Sequence, residues 1–288
     1  MRTAAQRIAI QGELGSFSHE AALRMSKAIG AESAIIVPCA ISADVFRAIA
    51  DGSVDAAVIP IENSLAGPVA EHYDLLLDQD VAIERESLLR IRHNLIALPS
   101  ARIEDIRRVS SHPVALAQCR RFFERHPKMQ AVPFYDTAGS VKQMIGTGDP
   151  TSAAIASRQA AEQYGGEILA SNIEDNPANF TRFYLIRSLG LVEQDAAADK
   201  VSIAFTVENR PGTLVAALQI FAGQRTNLTK IESRPVQGQP WDYVFYVDYQ
   251  ITRAESANSV LGLLECSCSM VKELGRYRSA GIEPEFAD

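Results

Sequence analysis

The chain of 288 residues has no long apolar run. Its apolar stretches are all shorter than the run of about 18 residues that a membrane-spanning helix needs. After Arg2 and Arg7 the apolar run is only Ile8-Ala9-Ile10, which is too short for the core of a signal peptide. Basic residues are not in excess either, because the net charge is −7, so no footprint for nucleic acid is present. We therefore expect a cytoplasmic protein with no membrane or nucleic-acid partner.

Cysteine is scarce and is not arranged for a metal. The four cysteines are scattered, and Cys266-Ser267-Cys268 is neither Cys-x-x-Cys nor close to a histidine. This pattern favours a reducing compartment and small structural thiols. The phosphate-binding loop and the Gly-x-Ser-x-Gly elbow of many serine hydrolases are missing too. We expect no metal and no cofactor.

One tract stands out among the residues that are present. Residues 179–186 have the aromatic and branched composition of a strand, and Thr181-Arg182-Phe183 lies inside them. Because side chains alternate along a strand, Thr181 and Phe183 share one face and Arg182 takes the other. A hydroxyl beside a phenyl ring suits a small aromatic or pre-aromatic ligand. Taken alone, the tract is also compatible with an ordinary strand that carries one exposed arginine.

Strands and helices alternate over most of the chain, which predicts βαβ units and mostly parallel sheets. Two such runs, at about 7–80 and 95–175, predict two lobes with a ligand cleft between them, and the Thr-Arg-Phe strand closes the unit. We place the first domain at 1–189, a linker at 190–200 and a second domain at 201–288. The second domain shows the β-α-β-β-α-β order of a ferredoxin-like fold.

Several boundaries follow from the same patterns. In the first domain we predict one continuous helix over 113–125. In the second domain we predict a helix over 254–272 and a short last strand from Tyr277 to Ala280.

Small polar residues cluster where predicted strands end and helices begin. Glu62-Asn63-Ser64 follows a buried strand, and Ser111 lies between a strand and a helix that carries Gln118 one to two turns inside. Thr137 opens another helix. Such residues donate and accept hydrogen bonds to a substrate, and helix N-termini attract anions. Glu62 is a candidate proton donor if burial raises its pKa. Each group is individually compatible with a polar turn or a helix cap, and the same holds for the glycine-rich segment from Gly12 to His19.

The C-terminal domain carries a second set of candidates. Gly212-Thr213-Leu214-Val215 opens a helix after a proline turn, and Asn227-Leu228 and Glu232-Ser233-Arg234-Pro235 follow. These residues are compatible with a turn, a helix and an edge strand that ends at a proline. The functional alternative is an amino-acid pocket, with backbone groups near Gly212 for the polar ends and apolar side chains for the rest.

Five segments in this order resemble the prephenate dehydratase family over nearly the whole chain. Its opening motif resembles residues 11–19, and its later motifs resemble 58–64, 111–119 and 179–183. Glu232-Ser233-Arg234-Pro235 resembles the phenylalanine-binding signature of the ACT domain that ends the family's chains. The family's Gly-Ala-Leu-Val motif is Gly212-Thr213-Leu214-Val215 here, so one position differs.

The resemblance implies a two-lobed catalytic domain like a type II solute-binding protein, then an ACT domain. It implies that prephenate loses CO2 and water to give phenylpyruvate, with L-phenylalanine as feedback inhibitor at the ACT interfaces of a homodimer or homotetramer. As the resemblance suggests, Thr181 would hydrogen-bond the departing hydroxyl, and Glu62 or water would complete the proton transfer. Asn63 is our third catalytic candidate. Our candidate substrate-binding residues are Ser64, Ser111, Gln118, Thr137, Arg182 and Phe183, with Arg182 either at the pyruvyl carboxylate or supporting the strand.

Two other functions stay open at this point. An enzyme for arogenate, the aminated analogue of prephenate, would differ in as little as one pocket residue. A non-enzymatic binding protein that senses an amino acid is the alternative from another class.

Overall fold

The computed structural model describes residues 5–192, 195–236, 238 and 241–281. Part of the predicted linker and the end of the predicted second domain therefore lie outside the described residues. Within the described residues, no helix is long and apolar enough to cross a membrane, and no group of three or more His, Cys, Asp or Glu side chains is placed to hold a metal ion.

The first lobe is built on a sheet with the strand order β2-β1-β3-β11-β5, and β4 pairs with β3. The first three strands are parallel, and the central ones are apolar on both faces, as buried parallel strands usually are. The strands are β1 (Arg7–Gln11), β2 (Ile35–Cys39), β3 (Ala56–Asn63), β4 (Gly67–Pro68), β5 (Val81–Arg90) and β11 (Phe180–Ser188). Their helices are α1 (Phe17–Ala28), α2 (Ser42–Ala50) and α3 (Ala70–Asp78).

The second lobe has a five-stranded sheet with the order β10-β6-β9-β7-β8. Its strands are β6 (Asn94–Ala97), β7 (Arg108–Ser111), β8 (Gln130–Pro133), β9 (Ser152–Ala156) and β10 (Glu167–Ala170). Its helices are α4 (Pro113–Ala117), α5 (Arg120–Arg125), α6 (Thr137–Thr147) and α7 (Arg158–Tyr164). Apolar side chains of this sheet and its helices form a buried core on each face.

The C-terminal residues form a four-stranded antiparallel sheet with the order β13-β14-β12-β15. The elements are β12 (Lys200–Thr206), α8 (Thr213–Gly223), β13 (Leu228–Pro235), β14 (Tyr243–Gln250), α9 (Ala254–Glu265) and β15 (Met270–Tyr277). Both helices pack on one core with Phe205, Phe221 and Tyr249. The predicted fold class, a two-lobed α/β domain followed by a β-α-β-β-α-β domain, is confirmed.

The chain divides into two compact units that cut across the predicted domain boundaries. The first unit contains residues up to 69 and 87–183, and the second contains 70–86 and 184–281. Helix α3 belongs to the second unit because Lys272 Nζ of β15 donates to the carbonyl oxygens of Leu76, Leu77 and Gln79 at 2.7–3.1 Å. A cation at a helix C-terminus is stabilised by the helix dipole.

The continuous helix predicted over 113–125 is interrupted. The Asp175 carboxylate accepts hydrogen bonds from the backbone N–H groups of Arg120 and Arg121 at 3.0 and 2.9 Å. The N–H of Asp175 in turn donates to the Gln118 carbonyl oxygen at 2.7 Å. A residue distant in sequence therefore ends one helix and caps the next, which local periodicity does not reveal.

The helix predicted over 254–272 is too long, and the strand predicted from Tyr277 to Ala280 is misplaced. Helix α9 ends at Glu265, where the N–H groups of Ser267 and Cys268 turn back to the Leu264 carbonyl oxygen. The following residues pair with β12 as β15. Sheet pairing overrides the local helical pattern here, since strand formation depends strongly on neighbours. Helix α3 is absent from the sequence-based assignment.

An ion pair is buried in the second unit and generates a stability prediction. Lys200 Nζ lies 2.9–3.0 Å from the Glu86 carboxylate, and the two side chains are only 5% and 3% exposed. Removing one partner leaves a buried charge uncompensated, which typically costs about 3–5 kcal/mol. We expect Lys200→Met to lower the free energy of unfolding by about that amount in urea denaturation.

The matched control is Arg47→Met, which removes the exposed pair between Arg47 and Asp44. Exposed pairs contribute about 0–1 kcal/mol, so this variant should unfold close to the parent midpoint. Equal stability losses in the two variants would contradict the importance of the buried pair.

Candidate active site

A cavity of about 900 Å³ lies in the first compact unit, with walls from both lobes. Its wall is apolar in part, with polar groups that converge from several strand ends and helix starts. The polar side chains of the wall belong to Gln11, Glu13, Ser16, Ser18, Asn63, His93, His112, Gln118, Tyr135, Asp136, Thr137 and Thr181. A concave, mostly apolar site with a few directed polar groups is typical of a small-molecule site.

Thr181 and Phe183 lie on the same face of β11, as the strand alternation predicts. Both side chains are buried and both line the cavity. Asn63 Nδ2 donates a hydrogen bond to Thr181 Oγ1 at 2.9 Å. Since the threonine oxygen accepts this bond, its own O–H is left to donate to a ligand. A hydroxyl donor and a phenyl ring therefore stand side by side in the cavity wall.

Asn63 holds the ends of two strands together. Its Nδ2 also donates to Asn179 Oδ1 at 2.8 Å and to the Phe180 carbonyl oxygen at 3.2 Å. Its Oδ1 accepts from the N–H groups of Leu65 and Ala66 at 3.0 and 2.8 Å. Every polar atom of this amide is therefore used, which fixes its orientation.

The hydrogen-bond chain continues through Gln118 to a buried histidine. Gln118 Oε1 lies 2.9 Å from Asn179 Nδ2 and 2.9 Å from His93 Nε2. A carbonyl oxygen only accepts, so His93 must carry its hydrogen on Nε2. Its Nδ1 is then a lone-pair acceptor, and this atom is buried with no hydrogen-bond partner among the residues that the structure describes. Burial lowers the pKa of His93 below its ordinary value, which keeps the ring neutral.

Two helices begin at the cavity wall. Helix α1 begins after Ser16, whose hydroxyl accepts from the His19 N–H, and helix α6 begins after Asp136, whose carboxylate accepts from the Gly139 N–H at 2.6 Å. Ser16, Asp136 and Thr137 all line the cavity. The helix dipoles place partial positive charge there and favour an anionic ligand.

Two carboxylates stand in the same wall and have opposite environments. Glu13 accepts from Lys142 Nζ at 2.9 Å and from Tyr135 Oη at 3.0 Å, and the lysine hydrogen bond lowers the pKa of Glu13. Burial raises the pKa of Asp136 above the ordinary aspartate value. Glu13 belongs to the first lobe and its partners to the second, so these bonds cross the cleft.

Cations do not line the cavity. Among the residues that the structure describes, no lysine or arginine belongs to its wall. A ligand carboxylate there meets helix ends and neutral donors, so its charge is only partly compensated.

Five of the predicted catalytic and substrate-binding residues are brought together here: Asn63, Gln118, Thr137, Thr181 and Phe183. The other four are absent from the wall. Ser111 is buried, and its hydroxyl donates to the Ile155 carbonyl oxygen at 2.6 Å. Ser64 donates to the Ala178 carbonyl oxygen and accepts from the Phe180 N–H, each at 3.0 Å. Glu62 pairs with Pro68 in the β3–β4 hairpin, and Arg182 follows the alternation onto the other face of β11.

The sequence-based candidate set lacked His93 and Asn179, which complete the hydrogen-bond chain. Asn179 precedes the Thr-Arg-Phe strand, so its position beside the strand was a usable signal. His93 lies between Arg92 and Asn94, and no motif surrounds it. Only its contact with Gln118 shows that it belongs to the site. His19, by contrast, is buried with Nδ1 accepting from the Gly15 N–H at 2.8 Å, and it supports the loop.

The predicted effector residues fall on two elements of the second compact unit. Gly212 has a left-handed φ of 89° and caps α8, while Leu214 and Leu228 pack against the core under the helix. Along β13, exposure alternates, so Glu232 and Arg234 share the half-buried face and Ser233 and Pro235 the exposed one. Arg234 makes a bidentate pair with Asp74 of α3 at 2.8 Å.

Comparison with known proteins gives concordant matches. The profile of the family described as prephenate dehydratase matches residues 8–189, and that of the ACT domain matches residues 201–248. The chain is 40% identical over 282 residues to the chloroplastic arogenate dehydratase/prephenate dehydratase 2 of Arabidopsis thaliana, covering 94% of this chain and 72% of that protein.

Two solved structures are similar over most of the chain, each with a TM-score of 0.85. One is prephenate dehydratase from Arthrobacter aurescens in complex with L-Phe, with 34% identity over 95% of this chain and 90% of that one. The other is described as GqqA, a novel type of quorum quenching acylase, with 31% identity over 97% of this chain and 99% of that one.

The hydrogen-bond chain makes a prediction about His93 that needs no substrate. We expect nitrogen-15 NMR of the imidazole to show a neutral ring protonated on Nε2 at pH 7, because Gln118 Oε1 only accepts. Since burial lowers the pKa of His93, the ring should take up its second proton at a lower pH than an exposed histidine does.

In Gln118→Glu, a carboxylate faces Nε2 and should raise the His93 pKa toward or above its ordinary value. A proton on Nδ1 of the parent protein, or unchanged titration in this variant, would contradict the described bond.

Proposed function

Since the chain belongs to the prephenate dehydratase family, we propose that it converts prephenate to phenylpyruvate with loss of CO2 and water, acting as a carbon–oxygen lyase in phenylalanine biosynthesis. The observation that carries this proposal is the pair of Thr181 and Phe183 on one face of β11, with Asn63 bonded to the threonine oxygen. A donor for a hydroxyl and a surface for a six-membered ring then meet in one cavity.

The departing hydroxyl is the kinetic problem of the reaction, because hydroxide is a poor leaving group. Thr181 addresses it by donating a hydrogen bond to the oxygen that leaves, and Asn63 directs that donor by occupying the threonine lone pair. Threonine is too weak an acid to give up its proton fully. One proton must be supplied for each water formed, and we assign its delivery to solvent, because Glu62 does not belong to the cavity wall.

Loss of the ring carboxylate as CO2 is favoured by a site that has no cation beside it. As CO2 forms, the negative charge of this group drains into the ring, so a tight ion pair would stabilise the ground state more than the transition state. The described cavity wall contains no lysine or arginine. The pyruvyl carboxylate keeps its charge throughout, and the N-termini of α1 and α6 with Thr137 supply its donors.

Arogenate is a second candidate substrate, favoured by a specific observation. It carries an ammonium group where prephenate has a keto group, and Glu13 and Asp136 place carboxyl groups in the wall. The similar Arabidopsis protein is named for both activities. The ratio of kcat/KM for arogenate and prephenate, measured side by side, decides between the two substrates.

Amide hydrolysis, which the name of the similar acylase suggests, receives no support from the cavity. Such chemistry commonly requires a hydroxyl or thiol nucleophile bonded to a base. His19 and His112 each accept from a backbone N–H and His93 donates to Gln118, and none of these three rings is hydrogen-bonded to a serine hydroxyl among the described residues.

We further propose that L-phenylalanine regulates the enzyme through the C-terminal domain, by binding a less active state with higher affinity. Support comes from the L-Phe complex of the similar dehydratase. The proposed pocket residues are those at 212–215, 227–228 and 232–235. Arg234, however, is engaged by Asp74, so we assign it to positioning β13. A homodimer or homotetramer and a cytoplasmic location complete the proposal, and the four free thiols are consistent with a reducing compartment.

The role of Thr181 predicts a loss in kcat larger than any change in KM. Thr181→Val removes the donor while keeping the shape, so kcat for prephenate should fall about 10²–10³-fold. Thr181→Ser keeps the hydroxyl and should retain activity within about tenfold. Initial rates of phenylpyruvate formation, read from its absorbance in alkali, give both constants. A valine variant with near-parental kcat would remove Thr181 from the mechanism.

The effector assignment predicts that inhibition and turnover separate. Glu232→Ala should raise the phenylalanine concentration for half inhibition by about tenfold, as expected from the loss of one charge-assisted bond, while kcat stays unchanged. Glu255→Ala, in the exposed first turn of α9, is the matched control in the same domain. If both variants are inhibited like the parent, the pocket lies elsewhere.

A further inference from the structure

A second cavity of about 220 Å³ lies in the first compact unit, and its charge is opposite to that of the protein as a whole. Four arginines line it: Arg24, Arg90, Arg92 and Arg158. Glu20 is the one acidic side chain of the wall, so the described wall carries three net positive charges. The whole chain has a net charge of −7, so this concentration of guanidinium groups is local.

The arginines come from separate parts of both lobes. Arg24 lies on α1, Arg90 ends β5, Arg92 follows in the segment that leads into β6, and Arg158 opens α7. Like charges brought together from three separate segments, one of which holds both Arg90 and Arg92, repel one another, which costs stability unless a counter-ion is present. Convergence of this kind is typical of oxyanion recognition, because the planar guanidinium donates in pairs to phosphate and carboxylate.

The acceptors within the described protein do not satisfy every guanidinium donor of this cavity. Glu20 pairs with Arg24 at 2.9 Å, which engages the single carboxylate of the wall. Arg92 Nε is buried and has no hydrogen-bond partner within the described protein. A buried donor on a charged group is costly to leave unsatisfied, by about 1–3 kcal/mol or more. A bound acceptor would satisfy it, and the amides of Asn94 and Asn172 in the same wall add neutral polar groups.

We propose that this cavity binds a small oxyanion of the phosphate class, with two negative charges. Two charges balance most of the three net positive charges of the wall, whereas a monocarboxylate balances one. The inference stands on this cavity alone and does not depend on the reaction catalysed in the larger one.

One side chain lines both cavities, which places the proposed oxyanion site next to the larger cavity. Phe17 lines both cavities, and its ring lies edge-on to His93 at 5.7 Å between centroids. His93 is the residue that bonds to Gln118. An anion held between α1 and α7 would therefore lie beside Phe17, whose ring contacts the histidine of the hydrogen-bond chain.

The test is isothermal titration calorimetry of the full chain with inorganic phosphate and with glycerol 3-phosphate, at constant ionic strength. We expect saturable binding that weakens as sodium chloride is raised, because the attraction is electrostatic. Arg92→Gln and Arg158→Gln should each weaken binding about tenfold or more, the value of one charge-assisted contact. Arg158 is exposed on a helix surface, so this variant should fold normally, and circular dichroism verifies folding of both.

The matched control is Arg47→Gln on α2, an exposed arginine outside both cavities, which should bind like the parent. Tighter binding of glycerol 3-phosphate than of inorganic phosphate supports the proposal and identifies a phosphorylated metabolite as the ligand. Tighter binding of inorganic phosphate also supports the proposal and identifies free phosphate as the ligand. Absence of saturable binding in the parent, or equal weakening in Arg158→Gln and Arg47→Gln, overturns the proposal.

Discussion

The side-chain amide of Asn63 is the constraint on which the active-site geometry depends. It closes the turn after β3 through Oδ1 and reaches the start of β11 through Nδ2. Because both of its polar ends are occupied, it fixes where Thr181 points, and through Asn179 it connects to Gln118 and His93. A shared network of this kind is worth more than the sum of its bonds, since each bond orients the next. The threonine oxygen is thus held in place before substrate arrives.

Charge is distributed so that the two cavities of the first unit suit different anions. The larger one offers helix ends and neutral donors, so an anionic ligand is held without being neutralised. The smaller one gathers four guanidinium groups and only one carboxylate. Phe17 lines both cavities. The described wall of the larger cavity contains no arginine or lysine, and the guanidinium groups are gathered in the wall of the smaller one.

The sequence predicted more of the fold than of the active site, for physical reasons. Buried parallel strands can be recognised in the sequence by their apolar composition. The alternation of side chains along β11 correctly predicted that Thr181 and Phe183 lie on one face. A small polar residue at a strand end is ambiguous, because it satisfies either a ligand or a nearby backbone group. Ser111 turned inward to the Ile155 carbonyl, while Gln118 stayed in the wall. His93 and the break at Asp175 depend on contacts between distant residues, which no local pattern contains.

Helix α3 has a consequence that comes from its place along the chain. Gly67, Pro68 and Val69 belong to the wall of the larger cavity, and α3 begins at the very next residue, Ala70. In the same helix, Asp74 accepts two hydrogen bonds from Arg234 of β13, and the C-terminal carbonyl groups accept from Lys272 of β15. Helix α3 is thus held by side chains that follow it in the chain by 160 or more residues. Its attachment is therefore complete only once the C-terminal sheet has formed.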